Sequence, residues 1–278
     1  MIALHDLGLA HPLSGHPLLA GASLAVEPGQ VVVVAAAAGA GSSLLVQAIT
    51  GQRAPSAGVV HLFERDPHRL RRAALARLLR RVGLAPQVAP LVEGWTVAEQ
   101  VALALEIRGY ARAATDLATA EALERVGLLA ERDVDPRAVP TAARARIGLA
   151  RALAGRPELV IADAPTALQD DAGVVMVAEA LARTASAGAA VLVLARDARF
   201  DAEAVRLGMR RLAWHDGALL PHEALEVDIG GALDLILDAR SVPVRRPRPP
   251  APSAAASSDG VPNVVPFPIT ARSAGVTS

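Results

Sequence analysis

Apolar and polar positions alternate loosely over residues 2–10, the two-residue period of a half-buried strand. Segments 23–26 and 30–34 flank Glu27-Pro28-Gly29, where proline and glycine supply turn geometry. The run Val31 to Val34 predicts a central strand buried on both faces. A glycine-containing loop follows, and residues 44–50 take helical spacing before Gly51. Residues 58–63 predict a short strand, 67–81 an arginine-rich amphipathic helix, and 82–85 another strand. Helical periodicity then runs over 97–126 without strand signals, so the middle of the chain reads as a helical insertion. Residues 142–154 predict a helix, 159–162 a buried strand, 172–184 a helix and 191–195 a strand. Residues 210–214 and 218–220 predict a hairpin about Asp216-Gly217. This alternation predicts an α/β domain with a mainly parallel sheet covered by helices.

From Ser241 the periodicity stops. Val-Pro-Val-Arg-Arg-Pro-Arg-Pro-Pro and an Ala/Ser stretch read as a tail that buries too little to order itself. The expected division is a domain over 1–240, with a helical part at about 88–150, and a disordered tail over 241–278. Arg245, Arg246 and Arg248 in that tail are solvated, or else touch lipid headgroups or a partner.

Apolar residues make up 52% of the 278-residue chain and aromatics only 2%, so the core is built of Ala, Val and Leu. Formal net charge is zero, which gives no electrostatic attraction to nucleic acid. There is no cysteine, which excludes disulfides and thiolate-based metal sites. There is no lysine either, so no lysine elsewhere can substitute at a phosphate site. Residues 1–10 lack a basic start followed by an apolar run, and the apolar stretch 30–40 is too short to cross a bilayer. The expectation is a cytoplasmic protein whose membrane role needs a separate membrane subunit.

Four stretches fall in one recognisable order. They are AAAAGAGSSLLVQAITG at 35–51, VGLAPQ at 82–87 followed by LVEGWTVAEQVAL, ARIGLARALAGRPELVIADAPTALQD at 145–170, and AAVLVLARDARFDAEA with the hairpin ending Trp214-His215-Asp216-Gly217. Together they resemble the nucleotide-binding domain of ABC transporters over residues 1 to about 222. The resemblance implies an ABC-type P-loop fold, with an antiparallel N-terminal β part, a parallel central sheet and a helical subdomain. It further implies ATP and Mg²⁺ as ligands. The implied partners are a membrane permease subunit and a second ABC-type domain, in a homo- or heterodimer.

The resemblance places the phosphate-binding loop at Gly39, Ala40, Gly41, Ser42, Ser43 and Leu44, with Gln87 and Asp163 beside it. Ser43 and Asp163 match the positions that hold Mg²⁺. Such a loop aims backbone N–H groups and a helix N-terminus at phosphates, with a lysine between the terminal two. Here the family's first glycine is Ala36 and the lysine position is Ser42, so a tight alanine-filled turn without ligand is the favoured reading of this stretch. The position of the water-activating glutamate is Ala164, and that of the later histidine is Arg196. Arg196 has two readings: contact with phosphate, or pairing with Asp197 or another carboxylate. The family's L-S-G-G signature falls at Val139-Pro140-Thr141-Ala142-Ala143, without its serine or glycines. His11 and His16 are the only ring candidates where an adenine-stacking aromatic normally sits. No catalytic residue is assigned, and these losses weigh against binding of ATP or Mg²⁺. The sequence therefore points to a pseudo-ATPase that docks a partner, with a weak ATPase and a nucleotide-binding sensor as alternatives. Trp95 reads either as an interface anchor or as core.

Overall fold

The computed structural model describes residues 1–222; the proposed tail lies outside the described residues. Strands β1 (Ile2–Ala10), β2 (Pro17–Val26) and β4 (Ala57–Leu62) form an antiparallel sheet in the order β2-β1-β4. The second sheet has the order β5-β6-β7-β3-β8-β9. It is built from β3 (Val31–Ala36), β5 (Val82–Ala85), β6 (Leu159–Asp163), β7 (Ala190–Ala195), β8 (Arg210–His215) and β9 (Ala218–Pro221). Its neighbours pair parallel except β8 and β9, which form the hairpin. This is the α/β architecture expected, with the antiparallel part at the N-terminal end of the chain.

Helices α1 (Ser42–Ile49), α2 (Arg72–Leu79), α3 (Val97–Arg108), α4 (Arg112–Arg125), α5 (Thr141–Leu153), α6 (Asp171–Ser186) and α7 (Ala198–Arg206), with a 3-10 helix at Pro136–Ala138, complete the elements of the described residues. The unbroken apolar strands are explained by burial on both faces. Val31 and Val33 enter one core with α3 to α7, and Val32 and Val34 enter the other with α1 and the antiparallel sheet. Val191 and Val193 against Leu192 and Leu194 repeat the division on β7. Each strand thus packs two layers, the reason a parallel strand carries no polar alternation.

Four features differ from the sequence reading, the first being that the strand expected over 23–26 is β2 and already begins at Pro17. The helix expected over 67–81 is only α2, because Asp66 accepts a hydrogen bond from His68 N at 2.9 Å and the His68 ring donates to Ala48 O at 2.8 Å. Those contacts hold 67–71 in a turn ahead of the helix. The periodic run 97–126 is two helices, since Gly109 adopts φ 89° and ends α3. Helix α7 was not expected at all. Its signal is Asp197, an N-cap whose carboxylate accepts from Arg199 N at 3.0 Å, followed by the buried pair Phe200 and Ala204. Among the described residues no helix is long and apolar enough to cross a membrane.

Candidate functional site

Parallel pairing brings distant residues to one end of the sheet. Asp163 closes β6 opposite Leu194, and Ala35 and Ala36 at the end of β3 lie beside Ala195 and Trp214. The loop after β3 turns through two left-handed glycines, Gly39 at φ 83° and Gly41 at φ 106°. Gly41 caps α1 without any side-chain hydrogen bond, and a Cβ there would lie 3.0 Å from Leu18 Cδ1. Glycine is thus favoured by conformation, and a larger residue would also press on the Leu18 side chain. A Cβ on Gly39 would meet nothing within 4 Å, so the loop's rim is open. Ala40 N donates to Ala37 O at 3.1 Å, while the first-turn amides of α1 have no partners within the helix and carry its positive end.

Three of the expected site residues, Ser42, Gln87 and Asp163, converge on Arg196, and a fourth, Ser43, bonds to Asp163. The Ser43 hydroxyl donates to Asp163 Oδ2 at 2.8 Å. Arg196, directly after β7, donates from Nη2 to Ser42 Oγ at 3.1 Å and from Nη1 to Gln87 Oε1 at 3.3 Å. The same Nη2 lies 3.8 Å from Asp163 Oδ1. Ser42 and Asp163 are buried, at 2% and 4% exposure. Asp163 Oδ1 is fully enclosed and accepts no hydrogen bond. Arg196 stands against a carboxylate, and that carboxylate is Asp163. Asp197 is engaged by Arg199 instead, which donates from Nη2 at 2.8 Å.

Gly39, Ala40 and Gly41 form the loop itself, and Leu44 is half-buried on the first turn of α1. A cavity of about 500 Å³ opens beside Arg196, with Ala36, Asp201 and Trp214 in its wall. Ala164 is buried and left-handed at φ 48°, its N–H donating to Leu194 O at 2.8 Å. It presents a methyl group, which neither takes nor gives a proton. Pro140 caps α5 with no side-chain hydrogen bond, and His11 is an exposed turn residue whose Nδ1 accepts from Ser14 N at 3.3 Å. Trp95 is half-buried.

Two residues were missed in the sequence. Gln100, on α3 and fully buried, donates from Nε2 to Val92 O at 2.6 Å and accepts from Val92 N at 2.9 Å. It holds the segment that follows Gln87. Gln169, also buried, donates to Ala142 O at 3.0 Å and so ties the loop after β6 to the first turn of α5. A glutamine inside an apolar helical face was the available signal for the first; the second carried none.

The residues present fit the phosphate part of a nucleotide, since two left-handed glycines with an open rim at Gly39 lead directly into a helix N-terminus. They do not fit Mg²⁺. A guanidinium already stands 3.8 Å from the Asp163 carboxylate and supplies its counter-charge.

The family model described as "ABC transporter" matches residues 19–167. The chain is 41% identical over 170 residues to the methionine import ATP-binding protein MetN of Caulobacter vibrioides, covering 61% of this chain and 51% of that protein. It is 36% identical to MetN of Xanthomonas axonopodis pv. citri, covering 60% of this chain and 49% of the relative. The chain thus spans about half the length of the curated relatives it matches. A dimeric bacterial ABC transporter cassette superposes with a TM-score of 0.70 at 23% identity, over 79% of this chain and 96% of that one. The cbiO1 protein of Clostridium perfringens, part of the ABC transporter complex cbiONQ, gives 0.67 at 20%, over 86% and 96%. At those identities the likeness is one of fold. The family match over more than half of the chain, with this fold beneath it, places the protein in the ABC transporter family as a nucleotide-binding-domain relative.

Proposed function

We propose that this chain is an ABC ATP-binding-subunit-like pseudo-ATPase, which docks a membrane or domain partner without efficient ATP hydrolysis. The observation that carries the reading is the end of β6, where Asp163 is paired within the chain and the next residue is Ala164. Loss of a positioned general base removes ~10²–10⁴ in rate. The missing lysine and the Pro140-Thr141-Ala142 segment act in the same direction, the first on the chain's own site and the second on any site it would complete in a dimer.

The docking part of the reading rests on the segment from Gln87 to Trp95. Val88 is 77% exposed, and the segment is held in place by Gln100. Likeness to methionine import proteins makes a membrane permease of an importer the favoured partner, with a second ABC-type domain alongside it. The chain would then work in the cytoplasm, peripheral at the inner face of the membrane. Its domain is taken as 1–240, with the helical part at about 88–150 between the sheet and the partner.

A second reading, a sensor that binds nucleotide without hydrolysing it, is favoured by the open glycine loop. Phosphate release measured on the full chain tests the first reading: turnover well above background that disappears in Asp163→Asn sinks it. Co-purification with a permease, repeated after replacing residues 92–96, tests docking, which is wrong if capture is unchanged.

A further inference from the structure

We propose that the Arg196 guanidinium takes the place of the divalent metal, so that the loop after β3 binds a polyphosphate anion without Mg²⁺. The proposal rests on the nucleotide-domain reading and concerns how its site is charged.

A buried carboxylate needs a counter-ion. Asp163 has one built in, because Arg196 Nη2 lies 3.8 Å from the enclosed Oδ1 and Ser43 donates to Oδ2. Mg²⁺ binds to oxygen ligands at ~2.0–2.1 Å in strict octahedral geometry. To enter here it would have to sit against a guanidinium that cannot lose its charge and already pairs the carboxylate. The position is therefore closed to a second cation.

The same guanidinium is well placed for an anion. Its contacts to Ser42 and Gln87 are to neutral oxygens at 3.1 and 3.3 Å, and its side chain keeps 26% exposure beside the cavity. Phosphate oxygens are stronger acceptors and match the planar fork of arginine. Ser42 and Ser43 begin α1, so an anion meeting Arg196 also meets the helix's free amides. Cation and helix end converge on one point, and no metal is needed to join them.

The test is a titration of the full chain with a fluorescent ATP analogue and with inorganic tripolyphosphate, in EDTA and in Mg²⁺. Saturable binding in EDTA is expected, changed less than about threefold by Mg²⁺. Arg196→Ala should weaken that binding about tenfold or more, the size of a hydrogen bond to a charged group. Asp163→Asn discriminates further, because it frees Arg196 and should hold or tighten binding in EDTA. A variant that fails to fold cannot do that. Tenfold tightening by Mg²⁺ in the unmodified chain, or tenfold loss in folded Asp163→Asn, overturns the proposal. Absence of binding in both media also overturns it and leaves the docking reading intact. Phosphate release that persists in EDTA overturns the pseudo-ATPase reading alone.

Discussion

Arg196 Nη2 stands 3.1 Å from the Ser42 hydroxyl, so a cation from the end of β7 reaches the position where the family's loop carries lysine. Restoring that lysine should therefore fail. Ser42→Lys places a second cation against Arg196 in a buried position and is expected to cost about 2–3 kcal/mol of folding stability. Adding Arg196→His should recover part of the loss, giving a coupling of at least ~0.5 kcal/mol in a double-mutant cycle. Urea denaturation of the four proteins measures it. Strict additivity would show that the two side chains do not share a site.

The elements of the sheet were legible because burial on both faces leaves unbroken apolar runs, as in Val31 to Val34 and Val191 to Leu194. Ser43, Gln87 and Asp163 could be assigned to one end of the sheet because each lies at or beyond the end of a strand in a recognisable order. What was not legible was who bonds to whom. Ser43 and Asp163 are separated by 120 residues and Arg196 and Ser42 by 154, and only the strand order joins them. Gly109 shows the same limit at short range. The helical period runs across it in the sequence, and only its left-handed backbone ends α3.

Gln100 supplies the backbone of Val92 with both a donor and an acceptor, as a neighbouring strand would. Gln100→Ala leaves Val92 N–H and C=O without those partners. A loss of about 2–3 kcal/mol is expected from two such hydrogen bonds. Gln100→Glu keeps the acceptor and loses the donor while burying a charge, and should cost at least as much at neutral pH. Denaturant midpoints give both values. Limited proteolysis should show faster cutting near the exposed Val88 in both variants.

Gly83 lies in β5 where α5 crosses it. A Cβ there would stand 2.0 Å from Ala152 O and 2.8 Å from its carbonyl carbon, both backbone atoms. No side-chain rotation relieves that clash, so the helix must move off the strand. Gly83→Ala is expected to reach or exceed the upper end of the ~1–3 kcal/mol range for overpacking. Gly188→Ala is the useful contrast, because a Cβ there meets nothing within 4 Å although φ is 101°. Its cost should be confined to backbone strain of about 1–2 kcal/mol. Similar midpoints for the two variants would contradict the close approach of α5 to β5.

Acid stability should depend on Asp197. Burial raises its carboxyl, but hydrogen bonds from the Arg199 side chain and backbone, with the guanidinium's charge and a bond from Thr166, outweigh this and hold it below its ordinary value. The sign follows from proton binding. With the folded value depressed, the unfolded chain binds the proton first, so the stabilisation is complete above the ordinary value of about 3.9 and is lost as pH falls through the folded one. Glu158 beside Arg81 is held low in the same way, but both partners are more than a third exposed, so solvent and salt screen it and it adds little. Asp197→Ala also removes the cap of α7 and should cost about 1–2 kcal/mol at pH 7. The difference from the unmodified chain should shrink steadily below pH ~4, as the carboxylate it removes would be protonated anyway. Urea midpoints at pH 7, 4 and 3 test this. A difference that stays constant across that range would mean that Asp197 stabilises α7 by packing rather than by charge.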